Sequence, residues 1–241
     1  MGVETWWCSD MKEVNGVYIK SLRDLLGVRT TTCTDLVYLE SGEPSASALI
    51  KTRQIKYIQK IQARDDYNDS YISKIIDKSI NAQSPMGKYF RQLQQLEQNP
   101  LISEQEALKI KVRNYLGSTR REAYLGMNPE LESPSIYRKT ANFVPDHYRT
   151  AFTRFRLGSH RLKVETGRWS RIPRERRLCL CGQVQDEMHT LLDCPLLNDL
   201  RREFSHLNFN SLEDLMTYTD DNYLCKYLFQ VNKKIEEINV T

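Results

Sequence analysis

Four side chains with the chemistry of metal ligands lie within sixteen residues, in the pattern C-x-C-x7-H-x4-C. They are Cys179, Cys181, His189 and Cys194. Three thiolates and one imidazole form a usual closed ligand set for tetrahedral zinc. Because protein would fill all four positions, none remains for a catalytic water, and we expect structural Zn²⁺ here. The alternative is a group of buried free thiols beside an unrelated histidine.

The spacing of these ligands sets conditions on the backbone that carries them. Gly182 follows the second cysteine and permits a tight turn that directs two sulfurs towards one ion. The acidic pair 186–187 can begin a short helix that carries His189. Five helical positions rotate a side chain by a net ~140°, so we expect this helix to end between His189 and Cys194. Pro195 favours such an end, because proline disfavours helix at the residue before it.

A basic and aromatic stretch, residues 149–177, lies directly before this pattern. It holds ten lysines and arginines against two acidic residues, whereas residues 178–241 hold five against eleven. Guanidinium forks suit phosphate and aromatic faces stack on bases, so the mixture is typical of a nucleic-acid contact. The alternative is a solvated basic face whose aromatic side chains point into a local core. The candidate contacts are Arg154, Arg156, Arg161, Lys163, Arg168, Trp169, Arg171, Arg174, Arg176 and Arg177.

Apolar residues recur at three- and four-residue spacing along most of the chain, which predicts a mostly α-helical fold. We expect helices over residues 11–26, 45–63, 71–80, 146–157, 196–207, 212–218 and 222–238, and one more that begins at a capping box of Ser103 and Glu106. Residues 126–145 are rich in Pro, Ser and Asn and are predicted to be a linker. It would join a helical segment, 1–125, to a second part, 146–241, that holds the basic stretch, a small zinc knuckle and flanking C-terminal helices.

Two segments of the sequence follow the pattern of a known family. FRLGSHRLKVETGRW leads through IPRERRLCLCG into DEMHTLLDCPL, and GVETWWCSDMKEVNGVYIKSLRDLLGVRTTTCTDLVYLESG lies near the start. The first segment resembles the stretch that leads into the CCHC knuckle of LINE-type, non-LTR retrotransposon reverse transcriptases. The second resembles the thumb-side helix and the LGV segment that follow the polymerase palm of that family. The resemblance covers nearly the whole chain in segment order and is most specific over residues 155–195.

This resemblance implies a parent enzyme that copies RNA into DNA at a genomic nick. It implies that the four Cys and His residues bind zinc and that the surrounding arginines hold element RNA or target DNA. The polymerase palm and the endonuclease would precede residue 1, so we expect a truncated copy with no enzymatic activity of its own. Residues 218–221 spell the Y-x-D-D of reverse transcriptases. They follow the knuckle, so capping of the last helix explains them better.

Two functions of different classes follow from these features. The first is a nucleic-acid-binding C-terminal module of a retrotransposon reverse transcriptase, with structural zinc and RNA or DNA as its partner. The alternative is a zinc-stapled helical protein-interaction domain that binds no nucleic acid. No apolar run approaches the ~18 residues of a membrane span and the acidic start differs from a signal peptide. We therefore expect no membrane partner and an intracellular location, nuclear or cytoplasmic.

Overall fold

The computed structural model describes residues 11–64, 70–82, 85–95, 100–114, 119–137, 144–217 and 221–240. It is mostly helical, which confirms the predicted fold class. In these ranges the chain forms no β-strand, and its one strand-like pairing is an antiparallel bridge between Leu178 and Val184. No helix among them has both the length and the apolar character needed to cross a membrane. The α-helices are α1 (Lys12–Leu25), α2 (Thr34–Ser41), α3 (Ala46–Gln62), α4 (Tyr71–Asn81), α5 (Pro85–Gln95), α6 (Pro100–Asn114), α7 (Thr119–Met127), α8 (Asp146–Arg156), α9 (Lys163–Trp169), α10 (Asn198–Glu203), α11 (Leu212–Met216) and α12 (Asp221–Val240).

Four helices, α2, α5, α7 and α9, were not among those expected from the sequence. In α2 the consecutive residues 36–39 are all buried, so the helix lacks the polar face that gives a sequence its helical period. Helix α6 begins at Pro100 rather than at the predicted capping box. The carboxylate of Glu104, one turn into α6, accepts hydrogen bonds from the backbone and hydroxyl of Ser45. That hydroxyl is also the cap of α3, since it accepts from the backbone N–H of Ala48.

The chain divides into two compact units. The first comprises residues 1–20 and 43–110, and the second comprises residues 21–42 and 111–241. In the first unit α4 packs against α5, and the hydroxyl of Tyr89 on α5 donates to the Gln54 side chain of α3 at 2.6 Å. Both of these residues are buried, so the bond lies inside the unit.

The second unit is built on the packing of α8 against α12. Phe155 from α8 and Tyr227, Leu228 and Val231 from α12 are fully buried there. Two of the predicted metal ligands, Cys179 and Cys194, belong to the same core. A metal bound at these cysteines would therefore be attached directly to the core of the unit.

The segment predicted as a linker contributes to this core in its described part. Met127, Ile136 and Val144 are buried in the core of the second unit, and Leu131 is buried as well. Leu131 has a backbone φ of 55°, which is uncommon for a branched side chain. Residues 138–143 lie outside the described part of the chain. The expected division into residues 1–125, 126–145 and 146–241 stays a prediction.

Candidate metal centre and nucleic-acid interface

A tight turn carries the first two ligands of the predicted site. The carbonyl of Cys179 accepts from the backbone N–H of Gly182 at 2.9 Å, and the N–H of Cys179 donates to the carbonyl of Gln183 at 2.8 Å. Gly182 has a φ of 90°, a conformation that residues with a side chain rarely adopt. The turn thus needs glycine at this position, as the sequence suggested, and it brings Cys181 to the same side as Cys179.

A π-helical turn, His189–Asp193, carries the other two ligands. The side chain of Asp186 accepts from the N–H of His189 at 2.9 Å and begins the turn. The N–H of Cys194 donates to the carbonyl of His189 at 2.7 Å, which closes an i to i+5 bond. The spacing of these two ligands predicted a helix that ends between them. Instead the wider turn places residues five apart one above the other, and the helix then ends at Cys194.

The four potential ligand atoms lie within 4.8 Å of one another. The sulfurs of Cys179 and Cys194 are 3.8 Å apart, and the Cys181 sulfur is 3.1 Å from Nε2 of His189. Two sulfurs bound to one zinc at ~2.3 Å with a tetrahedral angle would be about 3.8 Å apart. This metal cluster, Cys179, Cys181, His189 and Cys194, can therefore hold one metal ion, and its donors suit zinc.

Protons compete with a metal for these thiols unequally. Burial raises the pKa of Cys194 to about 12, and the nearby Cys179 and Cys181 sulfurs add to the shift. Burial also raises the pKa of Cys179, but hydrogen bonds from the Cys181 backbone and side chain and from the Cys194 thiol outweigh it, so the net pKa is lowered. A bound cation would stabilise all three thiolates at once, because each negative charge would face it directly.

Neighbouring side chains fix the backbone of the metal cluster. The hydroxyl of Tyr227, on α12, donates to the carbonyl of Leu191 inside the π-turn at 2.9 Å. The Arg201 guanidinium donates to the carbonyl of Cys194. The side chain of Gln185, which is fully buried, accepts from the backbone N–H of Lys163 at 2.8 Å. Helices α9 and α12 are thereby tied to the cluster.

No family model, curated protein or solved structure matches this chain.

The basic stretch separates into exposed, half-buried and buried side chains. Three of the ten candidate contacts, Lys163, Arg168 and Arg177, are half-buried, and Arg156 is buried. The other six candidates are exposed, namely Arg154, Arg161, Trp169, Arg171, Arg174 and Arg176. Two of these have acidic neighbours from residues 178–241, because Arg174 pairs with Asp186 at 2.7 Å and Arg161 lies 3.6 Å from Glu236.

Arg156 forms a buried ion pair that keeps it from contact with a ligand. Its guanidinium makes two hydrogen bonds, of 2.7 and 3.0 Å, to the carboxylate of Glu40. The hydroxyls of Tyr124 and Tyr137 donate to the same carboxylate. The Arg156 and Glu40 side chains are 3% and 0% exposed, so a phosphate cannot reach this guanidinium. Arg156 was predicted as a nucleic-acid contact, but its burial against Glu40 removes it from that set. The sequence could not show this pairing, because Glu40 is distant along the chain.

A second buried carboxylate, that of Glu165, lies close to three arginines. Arg120 approaches it at 2.6 Å, Arg168 at 3.0 Å and Arg29 at 3.7 Å. Burial lowers the pKa of Arg168, and the positive charge of Arg120 contributes to the shift. Sequence reasoning missed Arg29 and Arg120, since both lie far from the basic stretch along the chain. One carboxylate thus faces three guanidinium groups, and the region keeps a positive charge.

Two further arginines, Arg171 and Arg177, belong to the backbone structure between α9 and the metal cluster. Arg177 donates to the carbonyls of Ile172 and Val164, at 2.8 and 2.6 Å, and so supports the backbone. Arg171 occupies a position with φ of 54° that follows the end of α9. Its N–H donates to the carbonyl of Arg168, and that of Ile172 donates to the carbonyl of Gly167. This is the helix-ending motif in which glycine is usual at the left-handed position, so an exposed arginine here costs stability.

The Y-x-D-D motif cannot be placed in the fold, because residues 218–220 lie outside the described part of the chain. Its fourth residue, Asp221, begins α12.

Proposed function

We propose that this chain is a nucleic-acid-binding module held together by structural zinc, from the C-terminal region of a LINE-type reverse transcriptase. The observation that supports this most is the position of four exposed arginines, Arg161, Arg171, Arg174 and Arg176, just before four converging metal ligands. Exposed guanidinium groups bind phosphate best where the backbone beneath them is rigid, because little entropy is then lost on binding.

Zinc is the metal proposed because its preferences agree with the donor set. Thiolates and imidazole favour zinc over magnesium, calcium or manganese, which prefer oxygen ligands. The ligands Cys179, Cys181, His189 and Cys194 would complete a tetrahedral shell and leave no position for water. The role of the ion is then to hold the turn and the π-helix together, and the reaction chemistry of a catalytic zinc is not proposed.

The contacts of the cluster indicate how zinc would support binding. Gln185 and Glu187 lie between the metal ligands along the chain. Gln185 holds the N-terminus of α9, and Glu187 accepts from His160 at 2.8 Å, next to the exposed Arg161. Loss of the metal would loosen both attachments, so the arginines would lose their fixed positions together with the knuckle.

The proposed partners are RNA or DNA, and the resemblance to the LINE-type family suggests element RNA or target DNA. Phosphate contacts by arginine are independent of base sequence, so the four arginines supply affinity rather than specificity. We propose no polymerase activity for this chain, since the residues of a polymerase palm belong to a different part of such an enzyme. An intracellular location, nuclear or cytoplasmic, belongs to the same proposal.

The test is equilibrium binding of the zinc-loaded chain to a fluorescently labelled oligonucleotide, compared with two variants of equal charge. Arg171→Ala/Arg174→Ala/Arg176→Ala removes three exposed arginines beside the cluster. Lys20→Ala/Lys56→Ala/Lys60→Ala removes three exposed lysines of the first unit. We expect the arginine variant to bind at least about tenfold more weakly and the lysine variant less than about threefold. Equal effects of the two variants, or no binding by the unmodified chain, would refute the proposal.

An apolar feature favours the alternative function, a protein-interaction domain. Five large apolar side chains in the segment that holds the four ligands are at least 39% exposed, namely Ile172, Leu178, Leu180, Met188 and Leu196. Exposed apolar side chains concentrated in one part of a surface are typical of protein contacts. If the chain binds no nucleic acid, replacing Leu180 and Met188 by serine should abolish a protein complex while zinc binding persists.

A further inference from the structure

A cavity of about 840 Å³ in the second unit gathers positive charge from three separate parts of the chain. Four cationic side chains line it, namely Arg29, Arg154, Arg161 and Lys233. One carboxylate, that of Glu236, also lines it. Glu236 and Arg161 are exposed and 3.6 Å apart, a geometry that contributes little binding energy. A phosphate could therefore take the place of the Glu236 carboxylate beside Arg161.

One of the residues that line the cavity, Arg29, has unused hydrogen-bond donors. Within the described part of the chain, Nε and Nη1 of Arg29 are buried and have no hydrogen-bond partner. Burial lowers the pKa of Arg29, and the charges of Arg120, Arg154 and Arg168 lower it further against the opposing effect of Glu165. Nη2 of Arg29 donates to the carbonyl of Gly158 at 2.9 Å and lies 3.7 Å from Glu165. Two buried donors left without acceptors among other cations are costly, and an anion in the cavity would relieve that cost.

Aromatic rings complete the cavity wall. Trp169 is 54% exposed, and the Arg29 guanidinium lies 4.2 Å from the centre of its indole ring. Phe229 and His147 contribute a second aromatic group, with ring centres 5.0 Å apart. A nucleobase stacks favourably on such rings, and stacking on Trp169 would extend the existing contact with Arg29.

Cationic side chains favour a phosphate and exposed aromatic rings favour a base, so the cavity suits a nucleotide. We propose that this cavity, an open groove lined by Arg29, Arg154, Arg161, Trp169 and Lys233, holds an unpaired nucleotide of a single-stranded nucleic acid. Its phosphates would lie on Arg161 and Lys233 at the mouth, and its base would stack on Trp169. A duplex keeps its bases stacked on each other, so it has no free base face to offer. The inference rests on the proposed function and adds the form of nucleic acid and the residues that distinguish it.

The test compares a labelled twelve-nucleotide oligothymidine with a twelve-base-pair duplex, using the full chain loaded with zinc. Trp169→Ala should weaken binding of the single strand by roughly 5- to 100-fold, the effect of one lost stacking contact. Binding of the duplex should change less than twofold. Trp169→Phe should recover most of the single-strand affinity, because phenylalanine keeps an aromatic face. Equal losses on both oligonucleotides, or no loss on either, would overturn the stacking site.

The charges of the groove have a control pair of equal charge on α12. Arg161→Ala/Lys233→Ala removes two exposed groove cations, whereas Lys226→Ala/Lys234→Ala removes two exposed α12 lysines that do not line the groove. We expect at least a tenfold loss of single-strand binding for the first pair and less than threefold for the second. All variants should melt within a few degrees of the unmodified chain. If the groove variants bind normally while Arg171→Ala/Arg174→Ala/Arg176→Ala binds weakly, the groove is wrong and the proposed function stands on these three arginines without Arg161. If the unmodified chain binds neither oligonucleotide, both fail.

Discussion

The metal cluster and the basic stretch are adjacent in the sequence but differ in how their residues are used. All four candidate ligands of the cluster come together within 4.8 Å. The candidate contacts of the basic stretch separate instead, with Arg156 in a buried ion pair and Arg177 bound to backbone carbonyls. A tetrahedral ion demands one geometry from all its ligands, whereas a positive charge can serve a phosphate, a buried carboxylate or a carbonyl equally well.

The two regions also differ in what surrounds them. Cys179 and Cys194 are buried in the core of the second unit, so their environment is shared with α8 and α12. Arg171, Arg174 and Arg176 are exposed and contribute little to packing. Substitutions in the cluster should therefore change stability, and substitutions of exposed arginines should change binding.

The largest effect is expected from removing one ligand of the cluster. Cys194→Ser should abolish stoichiometric zinc binding and lower the free energy of unfolding of the second unit by more than about 4 kcal/mol, because structural zinc supplies much of the folding energy of small domains. Metal analysis and urea unfolding measure the two effects. Cys33→Ser is the matched control, since Cys33 lies outside the cluster and should keep one zinc per chain. Normal zinc content in the Cys194 variant would contradict the assignment.

The next effect concerns an arginine of the basic stretch that is structural. Arg156→Ala would leave the Glu40 carboxylate buried without its cation, which should destabilise the fold by about 3–5 kcal/mol. The double variant Glu40→Gln/Arg156→Met removes both charges and should recover part of this loss. Thermal or urea unfolding is the measurement. A change below about 1 kcal/mol for Arg156→Ala would mean that this arginine belongs with the exposed group after all.

A smaller effect is expected at the contact between α12 and the π-turn. Tyr227→Phe removes the hydroxyl that donates to the Leu191 carbonyl and should cost about 1–2 kcal/mol. Burial raises the pKa of Tyr227 to about 12. Since its pKa in the unfolded chain is ~10, this group contributes stability below pH ~10 that is lost as the pH rises towards the folded value. Urea unfolding from pH 9 to 11.5 should show a steeper decline for the unmodified chain than for the variant.

The smallest effect should have opposite signs for stability and binding. Arg171→Gly places glycine at the left-handed position after α9 and should stabilise the fold by about 0.5–1 kcal/mol. The same change removes an exposed guanidinium, so binding to nucleic acid should weaken severalfold. Arg176→Gly is the comparison. It removes the same charge, but Arg176 lies in the right-handed 3-10 turn Arg174–Arg176, where glycine relieves no strain. An unchanged affinity for the Arg171 variant would place this arginine outside the binding surface.

The sequence predicted features whose cause is local and missed those whose cause is distant. The cluster was predictable because its ligands, Gly182 and Pro195 all lie within one short segment. The π-turn was not predictable, since the hydroxyl that contacts it belongs to Tyr227 on α12, far along the chain. Helix α2 was missed because it is buried on all sides at residues 36–39. The partners of Glu165 were missed because Arg29 and Arg120 are remote in sequence.

The salt dependence of nucleic-acid binding shows whether the exposed arginines neutralise phosphates. Each arginine that neutralises a phosphate of a single strand should contribute about −0.7 to the slope of log affinity against log salt. With three or more such contacts, the zinc-loaded chain should show a slope steeper than about −2 on labelled single-stranded RNA or DNA. A slope near zero, or binding no stronger than that of an unrelated protein of equal net charge, would contradict the account and favour a protein partner.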